Sequence, residues 1–208
     1  MCISVSNKDM KYIIFLLIFL TSCTGEKVLD SSSVENISAE IISIDGRYGS
    51  ELKINNDGEE FFIDVKDIKP WKIDFCNVDG GEKELAIGVY KKTPFHQEYA
   101  KRCFLYNIDL KNKILKPKFR ISRLYNPIED FNLCDIDGDT FDEIIAIEKN
   151  IDGNYLFGVY DWSNFSFERN YGSKNLKNKP KFLDKEKQIE IAGKRYELFL
   201  EGDEIKWK

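Results

Sequence analysis

The hydrophobic pattern along this chain is one of short strands and turns. In places apolar and polar positions alternate, as in Glu51-Leu52-Lys53-Ile54-Asn55. Elsewhere the apolar positions fuse into brief runs rich in β-branched residues, as in Ile144-Ile145-Ala146-Ile147. A period of two marks a strand with one buried face, and a short unbroken run suits a strand buried on both. Turn signals separate the runs: Asn56-Asp57-Gly58, Lys111-Asn112-Lys113, Ile151-Asp152-Gly153-Asn154, Ala192-Gly193-Lys194 and Glu201-Gly202-Asp203. The pattern predicts strands near 38–44, 50–55, 60–65, 72–77, 84–90, 102–108, 113–116, 131–134, 143–149, 154–161, 165–169, 181–184, 188–192, 195–200 and 204–207. No segment sustains a helical period. Thr93 to Lys101, with Pro94 and His96, is predicted as a long connection, as is Leu124 to Asp130 with Pro127.

One turn stands out chemically. Asp135-Ile136-Asp137-Gly138-Asp139-Thr140-Phe141-Asp142-Glu143 places three carboxylates at alternate positions, followed by a further acid before an apolar strand. A hard cation such as Ca²⁺ takes six to eight oxygens at about 2.3–2.6 Å. Asp135, Asp137, Asp139, the Phe141 carbonyl and Glu143 can supply them from a tight loop. An EF-hand needs flanking helices, a Gly at loop position six and a Glu at position twelve. Thr140 and Ala146 stand there, and both flanks are strand-like. The other reading of the same loop is a hairpin turn held by Asx hydrogen bonds without an ion.

The loop has relatives within the chain. Ser43-Ile44-Asp45-Gly46 to Glu51-Leu52 matches it position for position. Cys76-Asn77-Val78-Asp79-Gly80 to Glu84-Leu85 matches with one residue deleted, which aligns Cys76 with Cys134. Downstream, Phe104 to Leu110 aligns with Leu156 to Trp162. A unit of strand, acidic loop, strand, strand, turn, strand is a four-stranded antiparallel sheet. Sheets recurring every 40–50 residues or so are a propeller signature. The predicted fold is therefore all-β, a small β-propeller-like array of about four antiparallel blades. The blades at 72–120 and 131–170 are well marked. Segments 36–66 and 181–208 are either two degenerate end blades or one composite blade.

At these residues the chain resembles the FG-GAP or VCBS repeats of integrin-type β-propellers. Those repeats hold Ca²⁺ in an Asp-x-Asp-Gly-Asp-Gly-x-x-Asp-Leu loop between the first two strands of a blade. The resemblance covers 131–162 best, 73–110 less well and 41–65 weakly. It implies ligand roles for Asp135, Asp137, Asp139, Phe141 through its backbone, and Glu143. It departs where Thr140 replaces a Gly, a costly exchange if that position needs positive φ. The second loop starts with Asn77 and lacks the third acid, and the first has Ser43 and Arg47. One loop alone has the full donor set.

The N-terminus bears on location. Lys11 precedes an apolar core, Ile13 to Leu20, too short to span a bilayer but suited to a signal peptide. It runs into Leu20-Thr21-Ser22-Cys23, which resembles the lipobox of bacterial lipoproteins. That resemblance implies diacylglycerol on the Cys23 thiol and removal of residues 1–22. Met10-Lys11 is a more usual start than Met1. Residues 23–35, small and polar after the Cys, suggest a flexible tether. The domain is then 36–208. The expected address is a lipid anchor in the cell membrane or outer membrane, facing away from the cytoplasm.

Charge and cysteines refine the picture. The whole chain is −5 at neutral pH, yet residues 91–123 carry ten bases against Glu98 and Asp109. Such asymmetry suggests a surface that meets an anionic glycan, lipid headgroups or an acidic protein. Lys101, Arg102, Lys118, Arg120 and Arg123 are the candidate contacts. The competing reading is a basic segment that neutralises the protein's own acidic loops. Nucleic acid is not expected of an exported lipoprotein. Cys76, Cys103 and Cys134 are an odd set, expected as buried packing residues, with a Cys76–Cys134 disulfide as the alternative. No nucleophile, zinc or phosphate-loop motif occurs, and His96 is the lone histidine. The acid pairs Asp142-Glu143 and Glu59-Glu60 keep a carboxylate glycosidase open as an alternative. The reading is a ligand-binding envelope lipoprotein rather than an enzyme, with a purely structural role as a third possibility.

Overall fold

A computed structural model describes residues 25–208; the lipidation expected at Cys23 lies outside them. The alternating and fused apolar runs form sixteen strands among the described residues. Strands β1 (Lys27–Val34), β2 (Ile37–Ser43), β3 (Glu51–Asn56) and β4 (Glu59–Asp64) make one four-stranded sheet in that order. A short 3-10 turn, Lys66–Ile68, leads into β5 (Pro70–Cys76), β6 (Glu84–Thr93), β7 (His96–Asp109) and β8 (Ile114–Ile121), the second sheet. Next come β9 (Ile128–Cys134), β10 (Glu143–Lys149), β11 (Tyr155–Ser163) and β12 (Ser166–Gly172). The chain ends in β13 (Lys181–Phe182), β14 (Gln188–Ile191), β15 (Lys194–Glu201) and β16 (Glu204–Trp207).

The all-β, antiparallel expectation holds. The expected division into separate blades does not hold for the second half. There, β9 to β16 hydrogen-bond as one eight-stranded sheet, ordered β13-β14-β15-β16-β12-β11-β10-β9. Its two meanders join through a single parallel pairing, Gly172 with Glu204. The sheet curls until its end strands meet, and the Asn132 side-chain amide of β9 donates to the carbonyls of Asp184 (2.8 Å) and Glu186 (3.0 Å) just past β13.

Period-two alternation explains the core. On β10, Ile144 and Ala146 face one apolar cluster while Ile145 and Ile147 face another, so the run is apolar throughout. On β6, Leu85, Ile87 and Val89 pack with Ile41, Leu52 and Ile54 of the first sheet, while Ala86 turns to the cluster around Phe131. Gly88 shares that second face because the Trp71 ring leaves no room for a side chain: a Cβ there would stand 2.7 Å from it. Three apolar clusters thus lie between four successive meanders.

The first strands of the meanders present edges, and unpaired edges invite aggregation. Here polar side chains satisfy them. The Ile73 N–H of β5 donates to the Asp30 carboxylate (2.9 Å) and the Phe75 N–H to the Ser32 hydroxyl (3.1 Å), both on β1. The Leu133 N–H of β9 donates to Asp74 of β5 (3.1 Å). Lys185 closes the network, donating to Asp30 (2.6 Å) and to the Ile73 carbonyl (2.7 Å). These contacts run β1, β5 and β9 in the same direction. The connections 77–83 and 135–142 therefore lie at one end of the molecule, the distal end. Chain entry at Lys27, loop 44–50, residues 65–69 and the β6–β7 tip lie at the other, the entry end.

Several sequence expectations are corrected here. The tether expected over 23–35 is strand β1 from Lys27 onward. Its Asp30, Ser32 and Ser33 look like linker residues, but the polar groups of Asp30 and Ser32 stand in for a backbone ladder. With β1 in place, loop 44–50 joins the second and third strands of its sheet. It sits at the entry end and is not equivalent to loops 77–83 and 135–142, which join first to second strands. The connection expected at Thr93–Lys101 is mostly paired, Tyr90 with Lys101 and Thr93 with His96. Cys76, Cys103 and Cys134 are buried free thiols, so the alternative disulfide is not formed.

Candidate cation loop and distal cavity

Local turn chemistry shapes loop 135–142. The Asp135 carboxylate accepts the N–H groups of Gly138 and Thr140, Asp137 accepts from Asp139 (3.0 Å) and Asp139 from Phe141 (2.8 Å). Gly138 and Thr140 both have positive φ, +89° and +80°. The position where the resembling repeats carry Gly is thus left-handed here too, and Thr140 is strained. The Asp142 carboxylate accepts the Asn77 N–H (2.7 Å), which ties this loop to the one before it.

Three of the predicted ligands converge. Asp135, Asp137 and Glu143 each bring one oxygen within 4.8 Å of the others. Asp139 is not in this group. Phe141 is in the loop, with its ring against Gly80. Glu143 is buried, and its carboxylate accepts the Ile136 N–H (2.9 Å). Burial pushes its pKa up, opposed by that hydrogen bond and reinforced by the charges of Asp137, Asp161 and Asp139, to about 8. Asp161, on β11, was not among the predicted ligands. Burial pushes its pKa up, opposed by the hydrogen bond from Asn170 and reinforced by the charges of Asp137 and Asp139, and its Oδ1 is buried without a hydrogen-bond partner. The one sequence signal for it was its alignment with Asp109. That residue is paired with Lys116 (2.6 Å) and accepts a hydrogen bond from the Asn112 amide (2.8 Å).

The preceding loop is a natural control. Glu84 stands where Glu143 stands and accepts the Val78 N–H (3.3 Å), as Glu143 accepts that of Ile136. Asp79 matches Asp137. Between Asp79 (2.7 Å) and Glu84 sits the Lys118 ammonium. Burial pulls the Lys118 pKa down, and the two carboxylates outweigh it, leaving it raised. Loop 77–83 thus carries its own cation. Among the described residues no Lys or Arg pairs with Asp135, Asp137, Asp139 or Glu143. The three converging carboxylates are hard oxygen donors, of the type a divalent cation such as Ca²⁺ takes six to eight of.

The predicted basic face is not one surface. Lys101 donates to the Glu129 carbonyl (2.7 Å) and lies 4.3 Å from the Trp71 ring centre. Arg102 is buried and donates to the carbonyls of Lys91 (2.8 Å) and Glu98 (3.2 Å) within its own hairpin. Lys118 serves the acidic loop. Arg120 and Arg123 are exposed, without an ion pair among the described residues. For Lys101, Arg102 and Lys118, self-neutralisation and backbone capping describe the structure better than a shared ligand surface. The acid pairs are likewise engaged: Glu59 with Lys113 (2.8 Å), Glu60 with Lys53 (2.6 Å) and Asp142 with Asn77.

A cavity of about 770 Å³ opens beside the acidic loop. Sequence reading missed it, because its walls come from segments far apart in the chain: Ser31–Val34, Ser38–Glu40, Asp74–Cys76, Leu133–Asp135 and Lys185–Lys187, with Lys83 and Asp142. Asp74, at its floor, is almost fully buried. Burial pushes its pKa up to about 6 against the pull of Lys185. Serine hydroxyls, carboxylates and ammonium groups share the lining with Val34, Ala39, Phe75 and Leu133, so the cavity offers a small molecule both hydrogen-bonding groups and apolar contact. No protein-family model matches the chain, and no curated protein is significantly similar to it.

Proposed function

We propose that this chain is an exported lipoprotein, anchored at the cell membrane or outer membrane through acylated Cys23, whose β-propeller-like domain binds a polar ligand at its distal end beside a Ca²⁺-braced loop. The propeller-like reading is supported by four successive meanders, of which the first strands of three, β1, β5 and β9, share a polar network and cavity with the β13–β14 turn of the fourth. The lipid anchor is supported by the Leu20-Thr21-Ser22-Cys23 sequence after an apolar core.

The observation that carries the Ca²⁺ reading is the contrast between the twin loops. Lys118 occupies the acid pair of one, while the other brings together Asp135, Asp137 and Glu143 with no internal cation among the described residues. The ion braces the wall of the distal cavity, which Asp135 also lines. Its affinity is expected in the extracellular range, on the order of 10⁻⁴–10⁻³ M. At ten times that dissociation constant the stabilisation is about 1.4 kcal/mol. Thermal unfolding of residues 25–208 should shift upward with millimolar Ca²⁺ and back with chelator, and Asp137→Asn should abolish the shift. In cells, labelled fatty acid should enter the full chain and not the Cys23→Ser variant. A melting temperature indifferent to Ca²⁺ sinks the metal reading, and an unlabelled wild-type chain sinks the anchor.

A further inference from the structure

The entry end carries an aromatic and cationic surface that the proposed function does not use. Tyr48, Tyr90 and Tyr99 form a continuous stack, with ring centres 5.2 Å and 5.5 Å apart and planes tilted by 9° and 22°. They come from loop 44–50, from β6 and from β7. Arg47 lies 5.2 Å from the Tyr48 ring centre, and Lys69 and Lys92 lie 4.8 Å and 5.3 Å from that of Tyr99. None of these three cations has a carboxylate ion pair among the described residues, and beside them Lys91 donates to the Asp67 carbonyl (3.2 Å). Exposed acids at this end are Glu26, Asp45, Asp64, Asp67 and Glu98, of which Asp64 pairs with Lys66 (3.3 Å). Asp45 accepts the N–H groups of Arg47 and Tyr48.

Next to the stack, β6 and β7 run on past their neighbours. β5 pairs with β6 only up to Val89, and β8 with β7 only from Cys103. The remaining ribbon ends at Pro94-Phe95, where the Phe95 ring is 89% exposed. The position of chain entry gives this surface its orientation. Lys27 pairs with Ser43, and its side chain lies 3.9 Å from where a Cβ of Gly46 would stand, one residue from Arg47. The described chain therefore starts at the edge of the same surface. In the sequence, three residues stand between Cys23 and Lys27, where β1 begins.

We infer that the entry end is a membrane-docking face, which seats Arg47, Lys69 and Lys92 against anionic phospholipid headgroups and places Phe95 in the interfacial layer. The orientation argument rests on the acylation of Cys23; the charge and aromatic arguments do not. Lysines near an anionic bilayer each contribute about fivefold in binding, and aromatic rings settle at headgroup depth. An acidic glycan is the less suitable partner. Sugars stack on free ring faces, and these faces are taken by neighbouring rings and by cations.

The test uses residues 25–208, which contain every described strand and all three apolar clusters, so no acyl chain is present. Co-sedimentation is measured with vesicles of phosphatidylglycerol and phosphatidylcholine, and with phosphatidylcholine alone. The expected result is binding to the anionic vesicles only, weakening as salt screens beyond about 10 Å. Arg47→Gln, Lys69→Gln and Lys92→Gln together should weaken it roughly a hundredfold, with an unchanged melting temperature. Lys111→Gln, at the distal end, should leave it intact. Phe95→Trp should be quenched by brominated lipid. Equal binding to neutral vesicles, indifference to the triple substitution, an unquenched Trp, or capture by heparin with no vesicle binding each overturns the inference. Because Cys23 is absent from this experiment, its failure is distinct from a failure of acyl labelling.

Discussion

At the scale of single residues, the acidic loop shows what spacing can and cannot convey. Asp135, Asp137 and Glu143 are local in sequence, and their convergence was legible from alternate carboxylates before a strand. Asp161 and Lys118 were not, because each reaches its loop across a sheet from a later strand, and pairing register is invisible in one sequence. Thr140 was legible as an anomaly, and its φ of +80° confirms that a β-branched residue occupies a left-handed position. Such a conformation costs about 1–2 kcal/mol, and the unfolded-state entropy of a glycine gives back part of that. Thr140→Gly should therefore stabilise the domain by about 0.5–1 kcal/mol in denaturant unfolding. A neutral or destabilising result would mean the Thr hydroxyl holds the loop in a way the backbone angles do not show.

Among the elements, β1 is the instructive failure. Its sequence, Lys27-Val28-Leu29-Asp30-Ser31-Ser32-Ser33-Val34, has the composition of a linker. It is a strand because β2 offers it a hydrogen-bonding edge, from Lys27–Ser43 to Val34–Ile37, and because β5 donates to its side chains. Propensity is a weak guide where tertiary pairing decides. Missing β1 also shifted the alignment of loop 44–50 by one strand. A chain shortened to 36–208, the boundary suggested by composition, should expose the β2 edge and leave the Ile73 and Phe75 N–H groups unpaired, and so aggregate or melt well below residues 25–208. Ser32→Ala is the gentler probe. It should cost about 1–3 kcal/mol, the penalty of one orphaned buried donor. Identical melting curves for the two lengths would return β1 to the status of a tether.

For the whole molecule, Asp74 is where β1, β5 and β9 meet, since it accepts from Ser32 (3.2 Å) and from the Leu133 N–H. Its folded pKa, raised from 3.8 to about 6, lies above its unfolded value. The unfolded chain therefore gives up this proton first as pH rises. The stability from protonated Asp74 is complete below the unfolded pKa and is lost by the time pH has passed through the folded one. Between pH 5 and pH 7 the loss is about 1 kcal/mol. Wild-type stability measured relative to Asp74→Asn should fall by that amount across this interval, and parallel curves would show that Asp74 does not titrate there. Alternation and turn signals foretold most strands and the antiparallel class, because those are local. They did not foretell the curled eight-stranded sheet, which hangs on one pairing between residues as distant as Gly172 and Glu204.

The Lys118 ammonium has a last consequence. A counter-ion bonded to the chain has an effective concentration set by its tether rather than by the medium. The counter-charge of loop 77–83 is therefore part of the fold. Loop 135–142 has matching acids and no such tethered charge among the described residues, so on the proposed Ca²⁺ reading its counter-charge comes from the medium. Two loops of one sequence pattern thus differ in whether the chain supplies their counter-charge. Both reach the distal cavity, the first through Lys83 and the second through Asp135 and Asp142.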